Sequence, residues 1–240
     1  MNVHDKLLGW LAAIGAAGTA ELADALGATD ASAAARLRAL ARVGLVRREQ
    51  LLAAEPALWL ITPAGLRAAG RADLGPVRVS GSSFRHQLEC ARTARALERA
   101  AAGAYTVHSE RELRAWERAA GPLASAELAY GCWPDLHRPD LVLLRADRGL
   151  PVAIEVELTV KAPARLRAIV RAWARSRRVA QAVYYATEPA ARALVRAVEA
   201  ERAESQVTVL ALAARTVSPL AASPHAAPAR RSTNPGSSAA

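Results

Sequence analysis

Cysteine, methionine and phenylalanine are nearly absent from this chain of 240 residues, which contains two cysteines, one methionine and one phenylalanine. The two cysteines, Cys90 and Cys132, form no CxxC pair and have no metal-binding spacing, so a reduced cytosolic setting is expected. No apolar run approaches the roughly 20 residues that a membrane-spanning helix needs. The five tryptophans are scattered along the chain, which gives little support to a stacking platform for single-stranded nucleic acid.

Basic residues, in contrast, are abundant. The chain has 32 Lys and Arg against 22 Asp and Glu, a formal net charge of +10. A charge of this sign and size indicates a polyanionic partner or an anionic surface. The length allows two small domains or one large one, and the hydrophobic fraction of 52% is enough to build buried cores.

Residues 1–72 have the pattern of three helices followed by two strands. Apolar residues recur at helical spacing in the first helix, at Leu7, Leu8, Leu11 and Ile14. Capping residues and glycines mark the other boundaries. The second helix is predicted to begin at Thr19, its N-cap, and to end at Gly27. The third helix is predicted from Ser32 to Val43, after a cap within 30–32. Strands are predicted at 45–48 and 58–61, and Thr62 is the predicted cap of a short last helix.

This order, with the stretches ELADALG, RLRALARVGLV and LITPAGLRAAG, resembles the winged helix-turn-helix family. The resemblance implies that the third helix enters a DNA major groove while the wing contacts phosphates. Residues 36–48 contain five arginines and no acid, which favours DNA. A winged helix used for protein contacts or dimerisation is the alternative. The predicted DNA-contacting residues of this region are Ser32, Arg36, Arg38, Arg42, Arg47 and Arg48.

Residues 73–83 contain Gly, Pro and three serines without periodicity, and are the predicted linker to a second domain at 84–213. That domain has the predicted order helix, strand, helix, strand, strand, helix, strand, helix, strand. Such an order predicts a mixed sheet flanked by helices, an α/β sandwich. The predicted helices are 84–102, 109–118, 163–178 and 188–204, and 121–138 is predicted to be irregular. Residues 214–240 are predicted to be a disordered tail.

A β-hairpin at 138–161 carries the clearest chemical signal. Two apolar runs, 141–144 and 152–158, are joined by a turn at 147–149. Asp140 precedes the first strand, and Glu155 and Glu157 share one face of the second because strand side chains alternate. Three carboxylates at one end of a hairpin repel each other, so they indicate a cation or a charged partner.

The stretches RPDLVLL and AIEVELTVKAPARLRAIV resemble the PD-(D/E)xK nuclease-like superfamily. With the winged helix and a helix bearing His86, the chain more specifically resembles the replication-relaxation family of plasmids and mobile elements. That resemblance implies a restriction-endonuclease-like α/β sandwich. It also implies that Asp140 and Glu155 ligate Mg²⁺, which activates a water for attack on a phosphodiester.

The pattern departs from the superfamily at its third position, where Glu157 stands in place of the usual lysine. Some nucleases of the superfamily use Glu there, so activity is not excluded. Lys161 is predicted to return a positive charge to the site if the strand extends that far, and Glu89 is the predicted additional acid on the preceding helix. The predicted catalytic residues are Asp140, Glu155, Glu157, Lys161 and Glu89.

The basic helix at 163–178 leaves two interpretations open. Its arginines hold a DNA backbone beside the carboxylates, or they neutralise Glu155 and Glu157 directly. The predicted DNA-binding residues of this helix are Arg167, Arg171 and Arg175. His86 and His137 could lie near the site, but neither fits a zinc-binding pattern and each is more often a structural hydrogen bonder.

Two functional hypotheses follow. The first is a DNA-binding protein of the replication-relaxation type, acting on double-stranded plasmid or mobile-element DNA with a Mg²⁺-dependent nicking or cleaving site. The second is a non-catalytic DNA-binding accessory protein or transcription regulator with a degenerate nuclease-like domain. A ligand-sensing repressor is a third, and would have a pocket instead of a carboxylate cluster. We expect a cytoplasmic protein associated with nucleoid or plasmid and not with membranes. The oligomeric state is left open, a homodimer included.

Overall fold

The structure, a computed structural model, describes residues 3–128 and 135–216. Over these residues the fold is mixed α/β, as predicted, with eight α-helices and three β-sheets. The helices are α1 (Val3–Ile14), α2 (Thr19–Leu26), α3 (Asp30–Arg42), α4 (Pro63–Ala68), α5 (Phe84–Ala100), α6 (Glu110–Ala120), α7 (Pro163–Arg175) and α8 (Glu188–Glu201). The strands are β1 (Ala16–Ala17), β2 (Val46–Glu49), β3 (Leu58–Ile61), β4 (Tyr105–Ser109), β5 (Ala126–Leu128), β6 (Asp135–His137), β7 (Leu141–Arg145), β8 (Val152–Glu157), β9 (Gln181–Ala186) and β10 (Val207–Ala211).

The N-terminal region packs α1 to α4 around a three-stranded antiparallel sheet in the order β1-β3-β2. Local signals set its boundaries. Gly27 ends α2 in the left-handed conformation with φ 61°, which glycine adopts without steric cost. Thr62 caps α4 as predicted, since its hydroxyl accepts a hydrogen bond from the Gly65 amide at 3.0 Å.

Two predicted caps in this region are wrong. Thr29, not a residue within 30–32, caps α3, because its hydroxyl accepts a hydrogen bond from the Ser32 amide at 3.3 Å. Gly18 occupies the cap position of α2, and Thr19 is the first helical residue. The Thr19 hydroxyl is instead the acceptor of a 3.0 Å hydrogen bond from the Trp59 indole, so it ties α2 to β3.

A mixed five-stranded sheet, in the order β10-β9-β8-β7-β4, forms the centre of the rest of the molecule. The predicted hairpin is confirmed: β7 and β8 pair antiparallel, with Leu141 opposite Ile154. Strands β8, β9 and β10 are parallel to one another, and α7 and α8 are the crossover helices between them. Parallel neighbours need such crossovers, which cover one face of the sheet.

Alternation along the strands divides the apolar residues between two cores. Ala153 and Val142 face α7 and α8 and pack with Leu166 and Trp173. The opposite face contributes to a second core that continues through α5 into α1, α2 and α3. Members of this second core include Leu11, Leu22, Leu37, Leu97, Leu141 and Ile154.

Polar contacts fasten the N-terminal region to α5 and β4. The side-chain amide of Gln87 donates to the carbonyls of Ile14 and Ala16 at 3.1 and 3.2 Å. Arg92 forms an ion pair with Glu21 at 3.0 Å. Residues 73–83, the predicted linker, contain no helix or strand. The division into two domains stays a prediction.

Several boundaries differ from the sequence-based expectation. Segment 121–138, predicted to be irregular, contains the short antiparallel pair β5 and β6, whose three-residue strands are too brief to show periodicity. Helix α7 ends at Arg175 and α8 at Glu201, each three residues before its predicted end. A 3-10 turn at Leu212–Thr216 occupies the first residues of the predicted tail, whose remainder lies outside the described residues. Among the helices described, none has the length and apolarity to cross a membrane.

Candidate functional site

Asp140 lies at the end of the sheet where β7 begins and β8 ends. Its Oδ2 accepts a hydrogen bond from the Val156 amide at 2.8 Å, which fixes the carboxylate beside the neighbouring strand. The preceding Arg138 is anchored in turn, because its guanidinium donates to the buried Glu117 carboxylate at 3.0 Å. The antiparallel pairing of β7 and β8 therefore brings Asp140 next to the carboxylates on β8, as the hairpin predicted.

Glu155 is buried, with 5% of its surface exposed. Its Oε1 is 2.7 Å from His137 Nε2 and accepts a 3.2 Å hydrogen bond from the Trp173 indole. Burial raises the pKa of Glu155, and the negative charge of Asp140 adds to this effect. Burial alone would lower the pKa of His137, but the Glu155 carboxylate raises it above its ordinary value.

Glu157 and Lys161 form an ion pair at the same end of β8. The strand ends at Glu157, so Lys161 reaches back from the following loop and not from an extended strand. Burial lowers the pKa of Lys161, while the nearby Glu155 and Asp140 carboxylates oppose that shift. Lys161 thus supplies a positive charge near the position where the superfamily pattern has lysine and this chain has Glu157.

The interpretation that the α7 arginines neutralise the β8 carboxylates is wrong within the described part of the chain. Glu155 bonds to His137 and Trp173, and Glu157 bonds to Lys161. The predicted helix-borne acid, Glu89, pairs with Arg92 on its own helix at 2.6 Å.

Two further side chains of α5 reach Asp140. His86 Nε2 lies 3.3 Å from Asp140 Oδ2, and Cys90 Sγ lies 3.7 Å from His86 Nδ1 and 3.8 Å from its Nε2. Residues four apart share a helix face, so His86 and Cys90 present their side chains together. Sequence reasoning missed Cys90, although the spacing His86-x-x-x-Cys90 on a helix was a readable signal. Cys132 lies outside the described residues.

A cleft of about 1010 Å³ opens beside these groups, between the N-terminal region, α5 and the end of β8. His86, Glu89, Glu157 and Lys161 line one part of it, and Leu52 and Glu55 line another. The cleft therefore opens Glu157 and Lys161 to solvent and extends to the loop between β2 and β3.

The arginines on and after α3 are largely unpaired. Arg36, Arg38, Arg42 and Arg48 form no ion pair with any residue in 3–128 or 135–216, and all but the half-buried Arg36 are exposed. Arg47 is different, because it pairs with Glu49 and donates to the Val77 carbonyl at 3.3 Å. Ser32, half-buried, is in the first turn of α3.

Two arginines of α7, and Arg178 just after its end, have acidic partners on other elements. Arg167 and Arg171 both bind Glu201 of α8, each with a shortest contact of 2.7 Å. These hydrogen bonds, of which the one from Arg171 has the larger effect, lower the pKa of the Glu201 carboxyl to about 2. Arg178 binds Glu127 at 2.6 Å. Of the predicted DNA contacts on this helix, Arg175 alone has no ion pair within the residues described.

No protein-family model matches the chain, and no curated protein matches it with significant similarity.

Proposed function

We propose that the protein binds double-stranded DNA through a winged helix-turn-helix at its N-terminus and hydrolyses a phosphodiester bond at the end of the five-stranded sheet. The observation that carries the proposal is the convergence of three side chains at one end of that sheet: Asp140 just before β7, Glu155 on β8 and Lys161 in the loop after β8. On this proposal the chain resembles replication-relaxation proteins, which act on plasmid or mobile-element DNA.

The arrangement of elements supports a nuclease-like domain. An antiparallel hairpin followed by a parallel crossover strand places the first carboxylate before β7 and the second on β8. Helix α5 covers the opposite face and brings His86 to the same end. Helices on both faces of a mixed sheet are the layers expected of a restriction-endonuclease-like α/β sandwich.

The N-terminal region supports duplex binding on two grounds. Its order of helix, strand, two helices and two strands supports a winged helix, in which α3 would be the recognition helix. The exposed guanidiniums of Arg38, Arg42 and Arg48 have no described acidic partner, so phosphate contact does not first require an ion pair to break.

Two carboxylates at the sheet end support the proposal of a Mg²⁺ site, because Mg²⁺ prefers oxygen ligands. Among the described residues, the hydrogen bonds of Asp140 fall on Oδ2 and those of Glu155 on Oε1, which leaves each carboxylate one oxygen for a hard cation. Bound there, Mg²⁺ would supply Lewis-acid polarisation of the phosphate and a water of lowered pKa.

The surrounding side chains have distinct roles in this proposal. His137 and Trp173 hold the Glu155 carboxylate in one orientation. Lys161 places an ammonium group where negative charge builds up on the phosphate, and Glu157 positions that ammonium through their ion pair. Glu157 is thus a positioning residue.

Supercoiled plasmid provides the test. We expect wild-type protein to nick or relax it with Mg²⁺ or Mn²⁺ and to leave it intact in EDTA. Asp140→Asn should abolish nicking, and its amide oxygen can still accept the Val156 hydrogen bond. Asp147→Asn is the matched control, since Asp147 is an exposed acid at the far end of the same hairpin. If Asp140→Asn nicks as well as wild type, the hydrolytic proposal fails.

The non-catalytic alternative has one observation in its favour. Glu157 occupies the usual lysine position and its partner is Lys161, so the ammonium group is already engaged. A protein that binds duplex DNA but does not nick it with either metal ion would be the accessory protein or regulator.

A further inference from the structure

We propose that His86, Cys90 and Asp140 form a second metal site, one for a thiophilic divalent ion such as Zn²⁺. Each residue offers one ligand atom, and these atoms all lie within 4.8 Å of one another. Imidazole, thiolate and carboxylate together are a donor set that Zn²⁺ binds and that Mg²⁺ does not prefer.

The distances between donor atoms agree with a tetrahedral zinc centre. Zinc–ligand bonds of about 2.0–2.1 Å to nitrogen or oxygen and about 2.3 Å to sulfur place N and O about 3.4 Å apart, and N and S about 3.6 Å apart. His86 Nε2 is 3.3 Å from Asp140 Oδ2 and 3.8 Å from Cys90 Sγ. The Cys90 sulfur and the Asp140 ligand oxygen lie within 4.8 Å of each other.

There is also space for an ion. A cavity of about 80 Å³ is lined by all three residues, together with Ser109, Glu110 and others. A single water needs roughly 10–15 Å³, so the cavity holds a metal and a water as fourth ligand. Three protein ligands and one open position are typical of zinc sites that exchange a ligand.

The surroundings favour a cation. Cys90 is buried, and four carboxylates act on it electrostatically. They belong to Asp140, Glu155, Glu110 and Glu89. A divalent ion bound at the thiolate would offset this concentration of negative charge. The Val156 amide already orients Asp140 Oδ2, as outer-shell donors do for metal-binding carboxylates.

Asp140 belongs to both proposed sites, so binding of one ion changes the affinity of its carboxylate for the other. This consequence rests on the proposed Mg²⁺ site, whereas the existence of the thiophilic site does not depend on nuclease activity. The test is therefore spectroscopic and uses no DNA.

Co²⁺ titrated into the full-length, metal-free protein is the probe. Wild type should develop a thiolate-to-cobalt charge-transfer band and intense tetrahedral d–d absorption, and Zn²⁺ should remove both by displacement. Cys90→Ser should lose the charge-transfer band. His86→Gln should weaken Co²⁺ binding by at least roughly 10–100-fold, the range measured for loss of outer-shell partners alone.

Two matched variants control for other donors: Cys132→Ser for the second cysteine, and His108→Gln for a histidine that packs edge-on against Trp116 and is not one of the three proposed ligands. Both should bind Co²⁺ like wild type. Circular dichroism checks that each variant is folded. A wild-type protein without the charge-transfer band would overturn the proposal, as would a band that survives in folded Cys90→Ser and disappears in Cys132→Ser.

Discussion

Helices α3 and α7 resemble each other in sequence but differ in the partners of their arginines. Each has 13 residues, with arginines recurring along its exposed side. On α7, Arg167 and Arg171 are bound by Glu201. On α3, Arg38 and Arg42 meet no acid in the described ranges. Basic residues in a sequence therefore indicate an available cationic surface only where the fold brings no carboxylate to them.

The largest expected difference between the two helices is in DNA affinity. Arg38→Ala with Arg42→Ala should weaken duplex binding by roughly 100-fold, since hydrogen bonds to charged groups contribute about 1.5 kcal/mol or more each. The dependence of log K on log salt should become shallower by about 1.8, for two lost phosphate contacts. Fluorescence anisotropy across a salt series measures both.

The matched control is Arg167→Ala with Arg171→Ala, which removes the same number of charges from α7. We expect less than a roughly threefold change, because Glu201 occupies these arginines. If both double variants lose the same DNA affinity, the α7 arginines are as available to DNA as those of α3.

A smaller effect is expected when the α7 arginines are released. Glu201→Gln should strengthen duplex binding about two- to fivefold, up to about 1 kcal/mol, because two guanidiniums lose their carboxylate. Glu188→Gln, at the exposed start of α8, is the control and should leave affinity unchanged. If Glu201→Gln also leaves it unchanged, α7 lies off the DNA path, and Arg167, Arg171 and Arg175 are not part of the interface.

The smallest effect concerns stability against acid. The pKa of Glu201 is lowered to about 2 from an ordinary value near 4.3, so its contribution to folding is present above about pH 4.3 and lost as pH falls to about 2. Wild type should therefore have a slightly higher thermal midpoint than Glu201→Gln at pH 6, and the two midpoints should converge near pH 2. Circular dichroism melts follow this difference. If the difference between the two thermal midpoints stays constant from pH 6 to pH 2, the ion pairs of Glu201 are not the source of that difference.

Periodicity and strand alternation were enough to predict the hairpin and the face shared by Glu155 and Glu157. The helix predicted at 109–118 is α6, and Ser109 and Glu112 form a capping box at its start. These features depend on neighbours in sequence. The α7–Glu201 ion pairs could not be predicted, because they join residues 30 or more positions apart through the packing of α7 on α8.

The residues of the candidate site likewise include some that the sequence predicted and some that it did not. The hairpin pattern predicted that Asp140 and Glu155 lie close together, whereas their catalytic roles and that of Lys161 were expected only from the resemblance to a nuclease superfamily. The approach of His86 and Cys90 to Asp140 depends on how α5 crosses the sheet, with 50 or more residues of chain between them. The β5 and β6 strands were missed because three residues carry too little alternation to distinguish a strand from a loop.

The most direct test of the account separates DNA binding from hydrolysis in one experiment. Single-turnover nicking is measured at saturating protein, with Mg²⁺, for wild type, Asp140→Asn and the Arg38→Ala, Arg42→Ala variant. We predict that Asp140→Asn binds DNA at least as tightly as wild type but nicks it roughly 1000-fold more slowly, for about 4 kcal/mol of lost metal-assisted stabilisation. The arginine variant should nick at the wild-type rate once saturated. Nicking by Asp140→Asn at the wild-type rate, or no nicking by wild type, would contradict the account.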